Sequence, residues 1–325
     1  MMSKFDFVGK RKIFGAIALG IMVLGIVLNV ILGTKLDIQF TGGSIIKYSY
    51  VGDVEEDAVR EEREKITQTT VDVEVNYDVY VAGEESTQNN LTASVSETDQ
   101  LGTDIAVAML AGLQKKFPDA KFTQLEASSV NPTMGHEFFN KCLVAIALAS
   151  VLVLLYISLR FRKIGGWLAG VMALFALILD MFNAYFTTVI AGIPLDDNFV
   201  AVVLTILGYS LNDTIVIYDR IRENKRKMSE ASIEQIVNVS IGQTFRRSLN
   251  TAVSTFVAVA CVTITALIFG LDSILSFAFP MLIGIVSGFF TSVFVSTPYW
   301  AILEKKRVAF VEAKALAKKA NGKKK

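Results

Sequence analysis

Six stretches of the chain are long and apolar enough to cross a bilayer, and between them they carry two charged residues. A spanning helix needs about 20 predominantly apolar residues. Residues 13–34 and 142–159 hold no charge. Residues 164–195 are interrupted only by Asp180 and end in the turn signal Gly192-Ile193-Pro194. Residues 198–218 are interrupted only by Asp213. Residues 248–271 and 273–303 are uncharged, the second carrying Pro280 and Pro298, either able to kink or trim a helix. The first run exceeds the roughly 7–15-residue core of a secretory signal and no A-x-A-like site follows it, so it reads as a retained helix. These runs explain a chain that is 52% hydrophobic and 19% charged, against about 25% charged in soluble domains.

Basic residues orient the spans. They cluster at Lys4, Lys10, Arg11 and Lys12, then at Arg160, Arg162 and Lys163. A third group runs from Arg220 to Arg247, and the last from Lys305 to Lys325. With six spans all four clusters fall on one side, the cytoplasmic one, with both termini. Asp196, Asp197 and Asp272 lie in the short loops opposite. The expected location is the cytoplasmic (inner) membrane, crossed many times. The expected divisions are a cytoplasmic N-terminus and first helix at 1–34, an extracytoplasmic domain at 35–140, and a five-helix region at 141–303. That region holds a cytoplasmic loop at 219–247, and a basic tail occupies 304–325.

The segment 35–140 carries 19 acidic against 8 basic residues. Residues 44–50 are β-branched and aromatic, hence a strand. Residues 54–66 favour a helix, and 71–81 alternate valine and tyrosine with polar residues, a half-buried strand. Residues 91–95 form a further strand. Residues 99–117 place Ile105, Met109, Leu110 and Leu113 at helical spacing, and 121–125 close with a strand. The order βαββαβ is that of a ferredoxin-like α+β module. The fold class is therefore a polytopic α-helical membrane protein with six transmembrane helices and one such external domain. In the 219–247 loop, Ser232-Ile233-Glu234-Gln235 and the apolar residues after it predict a short amphipathic helix against the membrane. The run from Asp219 to Asn224 reads as a solvated helix end, and the tail as a solvated, disordered one.

An ionisable side chain at the centre of a spanning helix costs about 2.5–3.5 kcal/mol on insertion scales, which singles out Asp213 and Asp180. Asp213 sits in Gly208-Tyr209-Ser210-Leu211-Asn212-Asp213-Thr214. Its small and polar residues predict burial against neighbouring helices. A carboxyl that takes up and releases a proton beside a cation, Arg247, is one reading; a structural Asp–Arg pair is the other. No basic residue lies in the span of Asp180, which points to a structural role there. Phe40-Thr41-Gly42-Gly43 after the first span suits a tight turn into the first strand. Cys142 and Cys261 lie in apolar runs outside any CxxC motif, and His136 has no metal-ligand companions at useful spacing. No GxSxG, HExxH or P-loop pattern occurs, so no catalytic residues, metal or cofactor are expected, and the basic tail has no aromatic interleaving to suggest nucleic acid.

Three motifs together resemble the SecD/SecF family, its SecF members in particular. They are Asp37-Ile38-Gln39-Phe40-Thr41-Gly42-Gly43, the Gly208–Thr214 stretch followed by Asp219-Arg220-Ile221-Arg222-Glu223-Asn224, and Gln243-Thr244-Phe245-Arg246-Arg247-Ser248. The resemblance covers nearly the whole chain and implies a subunit of the Sec translocase, within the resistance–nodulation–division superfamily. Its expected partners are a SecD homologue, the SecYEG channel, SecA and the translocating preprotein, with lipid around the spans. It implies a proton or ion relay of Asp213, Arg247, Asn212 and Asp180, with Arg246 leaving the arginine open by one position. At Asp180 many members have a His-Asp pair, and Leu179 stands here in place of the histidine. An ion-coupled small-molecule exporter acting as a dimer, and an ion-independent scaffold, are the competing classes.

Overall fold

The computed structural model describes residues 5–41, 43–51, 54, 71–79, 88–95, 103–130, 132–269 and 271–322. Helix α1 (Arg11–Leu32) leads through a single helical turn, α2 (Ile38–Thr41), into strand β1 (Gly43–Tyr50). Strands β2 (Val71–Val79) and β3 (Gln88–Val95), helix α3 (Thr103–Lys116) and strand β4 (Thr123–Val130) follow. The remaining helices are α4 (Pro132–Arg160), α5 (Gly166–Ala191), α6 (Asp197–Lys227), α7 (Ile233–Ile268) and α8 (Asp272–Phe290). A widened π turn, Thr291–Ser296, then joins α8 to α9 (Thr297–Gly322) within one continuous rod. Six helices are long and apolar enough to cross a membrane, the last running Ser273–Leu316.

The four strands pair antiparallel in the order β2-β3-β1-β4. This is the ferredoxin-like order, in which β1 and β2 run parallel with β3 between them. A parallel connection needs a crossover, and residues 51–70 lie between those strands in sequence. The helix expected over 54–66 falls outside the described residues apart from Val54. Period-2 spacing turns Ile46, Tyr48 and Tyr50 to one face of β1. Met109 and Leu113, one turn apart on α3, meet that face together with Leu91 and Phe122 to make the domain core.

In the membrane bundle α1 and α4 are peripheral, with most side chains exposed, whereas α5, α6 and α8 are central. The basic segments gather at one end of the bundle. Arg160 pairs with Asp219 at 3.3 Å and Lys305 with Glu234 at 3.0 Å, and Val8 donates its backbone N–H to Asn238. At that end Phe7, Phe161, Ile164, Tyr218, Ile236, Val237 and Trp300 form a second buried core.

Three expectations are corrected there. The predicted amphipathic helix is the first part of α7, continuous with the fifth span, because Ser232 and Gln235 form a capping box and Ile236, Val237 and Ile241 are buried in that core. The run from Asp219 to Asn224 continues α6 rather than ending it. Asn224 is buried, donating to Ser240 Oγ and Gln243 Oε1 at 2.8 Å each. The tail is helical through Gly322, because alanine and lysine are strong helix formers that extend an existing helix. Of the two prolines, Pro280 sits inside α8 without ending it. Pro298 follows the widened turn: it cannot donate to the carbonyl of residue 294 and its ring crowds it, so the preceding backbone opens by one residue per turn.

Gly165 joins α4 to α5 at φ +91°, a left-handed conformation, and a Cβ there would meet the carboxylate of Glu304. Glu304 is itself buried, accepting from Arg307 Nε and Nη2 at 2.8 and 2.7 Å. Gly165→Ala is expected to destabilise the bundle by roughly 1–2 kcal/mol from the backbone alone. It should lower the melting temperature of the detergent-solubilised chain. Gly208→Ala, which meets nothing within 4 Å, serves as the control.

Candidate functional site

Two carboxyls lie within the spans, and their surroundings differ in kind. Asp180, in the middle of α5, is 0% exposed. Its Oδ1 accepts from Ser287 Oγ of α8 at 2.6 Å, and its Oδ2 from Ser210 Oγ of α6 at 2.8 Å. Thr291 Oγ1, at the start of the widened turn, reaches both oxygens at 2.8 and 3.0 Å. Behind these, Asn183 Nδ2 donates to Ser287 at 2.7 Å, and Ser292 Oγ lies 3.0 Å from Thr214 Oγ1. Asp180 is thus the hub of a hydroxyl cluster joining three spans. From the residues alone, the absence of a basic partner pointed to a structural role for Asp180, and only the family resemblance set it in a relay.

The hydroxyls themselves were missed. Their signal was present: Ser287, Thr291, Ser292, Ser296 and Thr297 recur at helical spacing through an otherwise apolar span. Side chains that can hydrogen-bond between helices are expected in such a span where it faces other helices.

Asp213 is 3% exposed and lies on the face of α6 toward α7. Arg247 acts on it electrostatically and Ser248 stands beside it, but no salt bridge joins Asp213 to Arg247, and Asp213 Oδ2 has no hydrogen-bond partner. Ser248 is turned to Asp213 and Thr255 to the buried Tyr209 Oη, but neither contact meets hydrogen-bond geometry. A buried polar atom left unpaired costs about 1–3 kcal/mol, and the bare Oδ2 of Asp213 carries that cost between α6 and α7. Asn212 departs from expectation. It and Gly208 share a face, but that face is exposed on this chain rather than packed against its own helices. Arg246 and Arg247 are exposed as well.

The motif after the first helix forms the junction between the β domain and the bundle. Phe40 is buried among Phe139, Cys142 and Leu195, with its ring 5.8 Å from that of Phe138 and 5.3 Å from that of Phe139. Leu36 bridges Leu195, the backbone N–H of Asp37 donates to the Leu195 carbonyl, and that of Leu195 donates to the Lys35 carbonyl. Gln39 accepts from the backbone of Asp197 at the start of α6. Thr41 closes the turn on the Asp37 carbonyl and Gly43 opens β1 opposite Val130, while Gly42 lies outside the described residues. Among the described residues of this motif, Phe40 makes the buried side-chain contacts.

These features define a class: a six-span integral membrane protein with a ferredoxin-like domain after its first helix and two carboxyls inside the bundle. The chain belongs to the SecD/SecF family of protein export membrane proteins, whose C-terminal family model matches residues 105–306. It is 31% identical to the protein translocase subunit SecF of Acidaminococcus fermentans, over 94% of this chain and 99% of that one. It is 30% identical to SecF of Alicyclobacillus acidocaldarius, over 92% and 93%. Against SecDF of Bacillus subtilis it is 30% identical over 91% of this chain, spanning 38% of that longer protein. The crystal structure of SecDF from Thermus thermophilus, described as translocon-associated, matches with a TM-score of 0.77 and 24% identity, over 93% of this chain and 39% of that one. At that identity the likeness is one of fold.

Two expectations follow from the junction. Phe40→Ala should expose the backbone of residues 35–41 to hydrogen exchange while α5 and α6 keep their protection, since removing a buried phenylalanine costs about 3–5 kcal/mol. Asp37 has its carboxyl pushed up by burial and by Asp196 and Asp197, against the lowering effect of the Gln39 N–H. A carboxyl raised in the folded state stabilises at acid pH, and that contribution is lost as pH rises through the raised value. Asp37→Asn should therefore melt higher than wild type at alkaline pH, with the gap closing on acidification.

Proposed function

We propose that this chain is a SecF-type subunit of the protein translocase. It works with a SecD homologue to promote preprotein export across the cytoplasmic membrane, driven by the proton or sodium motive force. The basic end of the bundle faces the cytoplasm with both termini, and the β domain lies outside. The observation that carries the ion-coupled reading is the open coordination at Asp213: a buried carboxyl with an unpaired oxygen, Ser248 turned to it outside hydrogen-bond geometry, and Arg247 within electrostatic reach.

Protonation of Asp213 removes the charge that attracts Arg247 and changes how α6 sits against α7. An ion crossing a potential of 100 mV supplies about 2.3 kcal/mol per charge, enough to shift a two-state equilibrium about fiftyfold. The movement reaches the β domain through α6, whose first residues and preceding loop hold Leu36, Asp37 and Gln39. The exposed face of α6 bearing Gly208 and Asn212 is where the SecD homologue docks, since polar groups at membrane depth are otherwise turned to lipid. That the SecDF relatives are more than twice as long as this chain supports such a partner. The SecYEG channel, SecA and the preprotein complete the assembly in this reading.

Asp213→Asn should abolish the gradient-stimulated part of export in inverted or proteoliposome assays, while the chain still co-purifies with its SecD homologue. Retention of stimulated export by this variant would overturn the coupling role. Gly208→Leu, whose Cβ has no neighbour within 4 Å and whose side chain starts on an exposed face, should leave this subunit folded but reduce that co-purification.

A further inference from the structure

We propose that Asp180 is a second proton-binding site in the bundle, separate from Asp213, and that its proton is carried on Oδ2. Its partners are hydroxyls alone. Asp213 of α6 faces α7 instead, α1 and α8 contribute only uncharged side chains through the spans, and no charged group acts on Asp180 from any element packed around it. A carboxylate without a counter-ion at the centre of a bilayer is costly, and the ion that neutralises it must fit the space available. The three hydroxyl oxygens sit directly on the carboxyl at 2.6–3.0 Å. Those are direct hydrogen-bond distances, the arrangement that a proton shared with the carboxyl fits.

Hydroxyls both donate and accept, so this cage serves either protonation state without moving its heavy atoms. The two carboxyl oxygens are not equivalent. Asn183 donates to Ser287, leaving the Ser287 hydrogen for Oδ1. The groups at Oδ2 have alternatives: Thr291 can turn its hydrogen to the Gly288 carbonyl at 3.4 Å, and Ser210 can turn its own to Ser292 Oγ at 3.5 Å. Either then accepts from a protonated Oδ2. When the proton leaves, the O–H bond at Oδ2 breaks and the hydroxyl hydrogens swing back to the carboxylate. Hydrogen bonds to a charged acceptor are roughly twice as strong as neutral ones. The charged form therefore clasps α5, α6 and the widened turn of the sixth span together, and protonation loosens that clasp. π turns inside α-helices are frequently functional, and this one begins at the residue that bridges both carboxyl oxygens.

This inference does not rest on the export role, and infrared difference spectroscopy of the purified full-length chain with its co-purifying subunit tests it directly. A carbonyl band of a buried, protonated carboxylic acid should appear on acidification in Asp213→Asn, where Asp213 can no longer contribute one, and be lost when Asp180→Asn is added to that variant. Survival of the band in the double variant, or its absence from Asp213→Asn, would overturn the proposal. Suppression of the band by sodium but not potassium would overturn it too, by giving the site to a metal cation. Should Asp180→Asn not accumulate, Ser210→Ala keeps the carboxyl and is expected to shift the band; an unmoved band counts against the site.

Discussion

Hydrocarbon offers no hydrogen bonds, so every polar group carried into it must be answered from within the protein, and nowhere in this chain is that demand heavier than at Asp180. Its carboxyl draws Ser210, Ser287 and Thr291 from separate stretches of the sequence to a single depth. The helices carrying them can be rearranged only by breaking those bonds or finding new partners. Small residues make the close packing around it possible: Gly284 lies against Ile206 and Gly288 against Ser210, so α8 and α6 approach with almost no side chain between them.

The two buried carboxyls differ in how well they are answered. Asp180 is saturated and sits among the central helices; Asp213 is left with an open oxygen where α6 meets α7. The hydroxyls at Asp180 hold three spans to one carboxyl, while the second oxygen of Asp213 is unanswered within this chain. Both are linked to α6, through Ser210 on one face and through Asp213 itself on another. A change at either site is therefore felt by the same helix.

That helix also carries the mechanical link outward. The loop between α5 and α6 supplies Leu195, which is hydrogen-bonded through its backbone to Lys35 and Asp37 and packed against Phe40. Asp196 then caps α6, accepting from the backbone of Phe199 and from Ser276 of α8. The base of β1 is thus joined to the start of α6 through paired backbone hydrogen bonds and a phenylalanine cluster.

The chain's own letters were enough to establish six spans, the gathering of basic segments at one end and the ferredoxin-like order of the outer domain. Each of these follows from local composition: an uncharged run of about 20 residues has few places to go but the bilayer, and period-2 alternation has few folds but a half-buried strand. The motifs around Asp37, Asp213 and Arg247 were equally visible, because unusual residues in apolar surroundings announce themselves. What the letters could not decide was which distant groups meet. The hydroxyl cage of Asp180 joins residues 180, 210, 287 and 291, and no spacing rule spans such separations. Asn212 was misjudged for a related reason, since helical periodicity tells which residues share a face but not what that face is turned toward. The continuation of α7 through the expected loop depended on burial of Ile236 and Val237 against Phe7 and Trp300, a core assembled from opposite ends of the chain. Tertiary packing alone sets those encounters, because in the membrane interior it is the partner across the interface, more than the residue itself, that fixes the cost of a polar side chain.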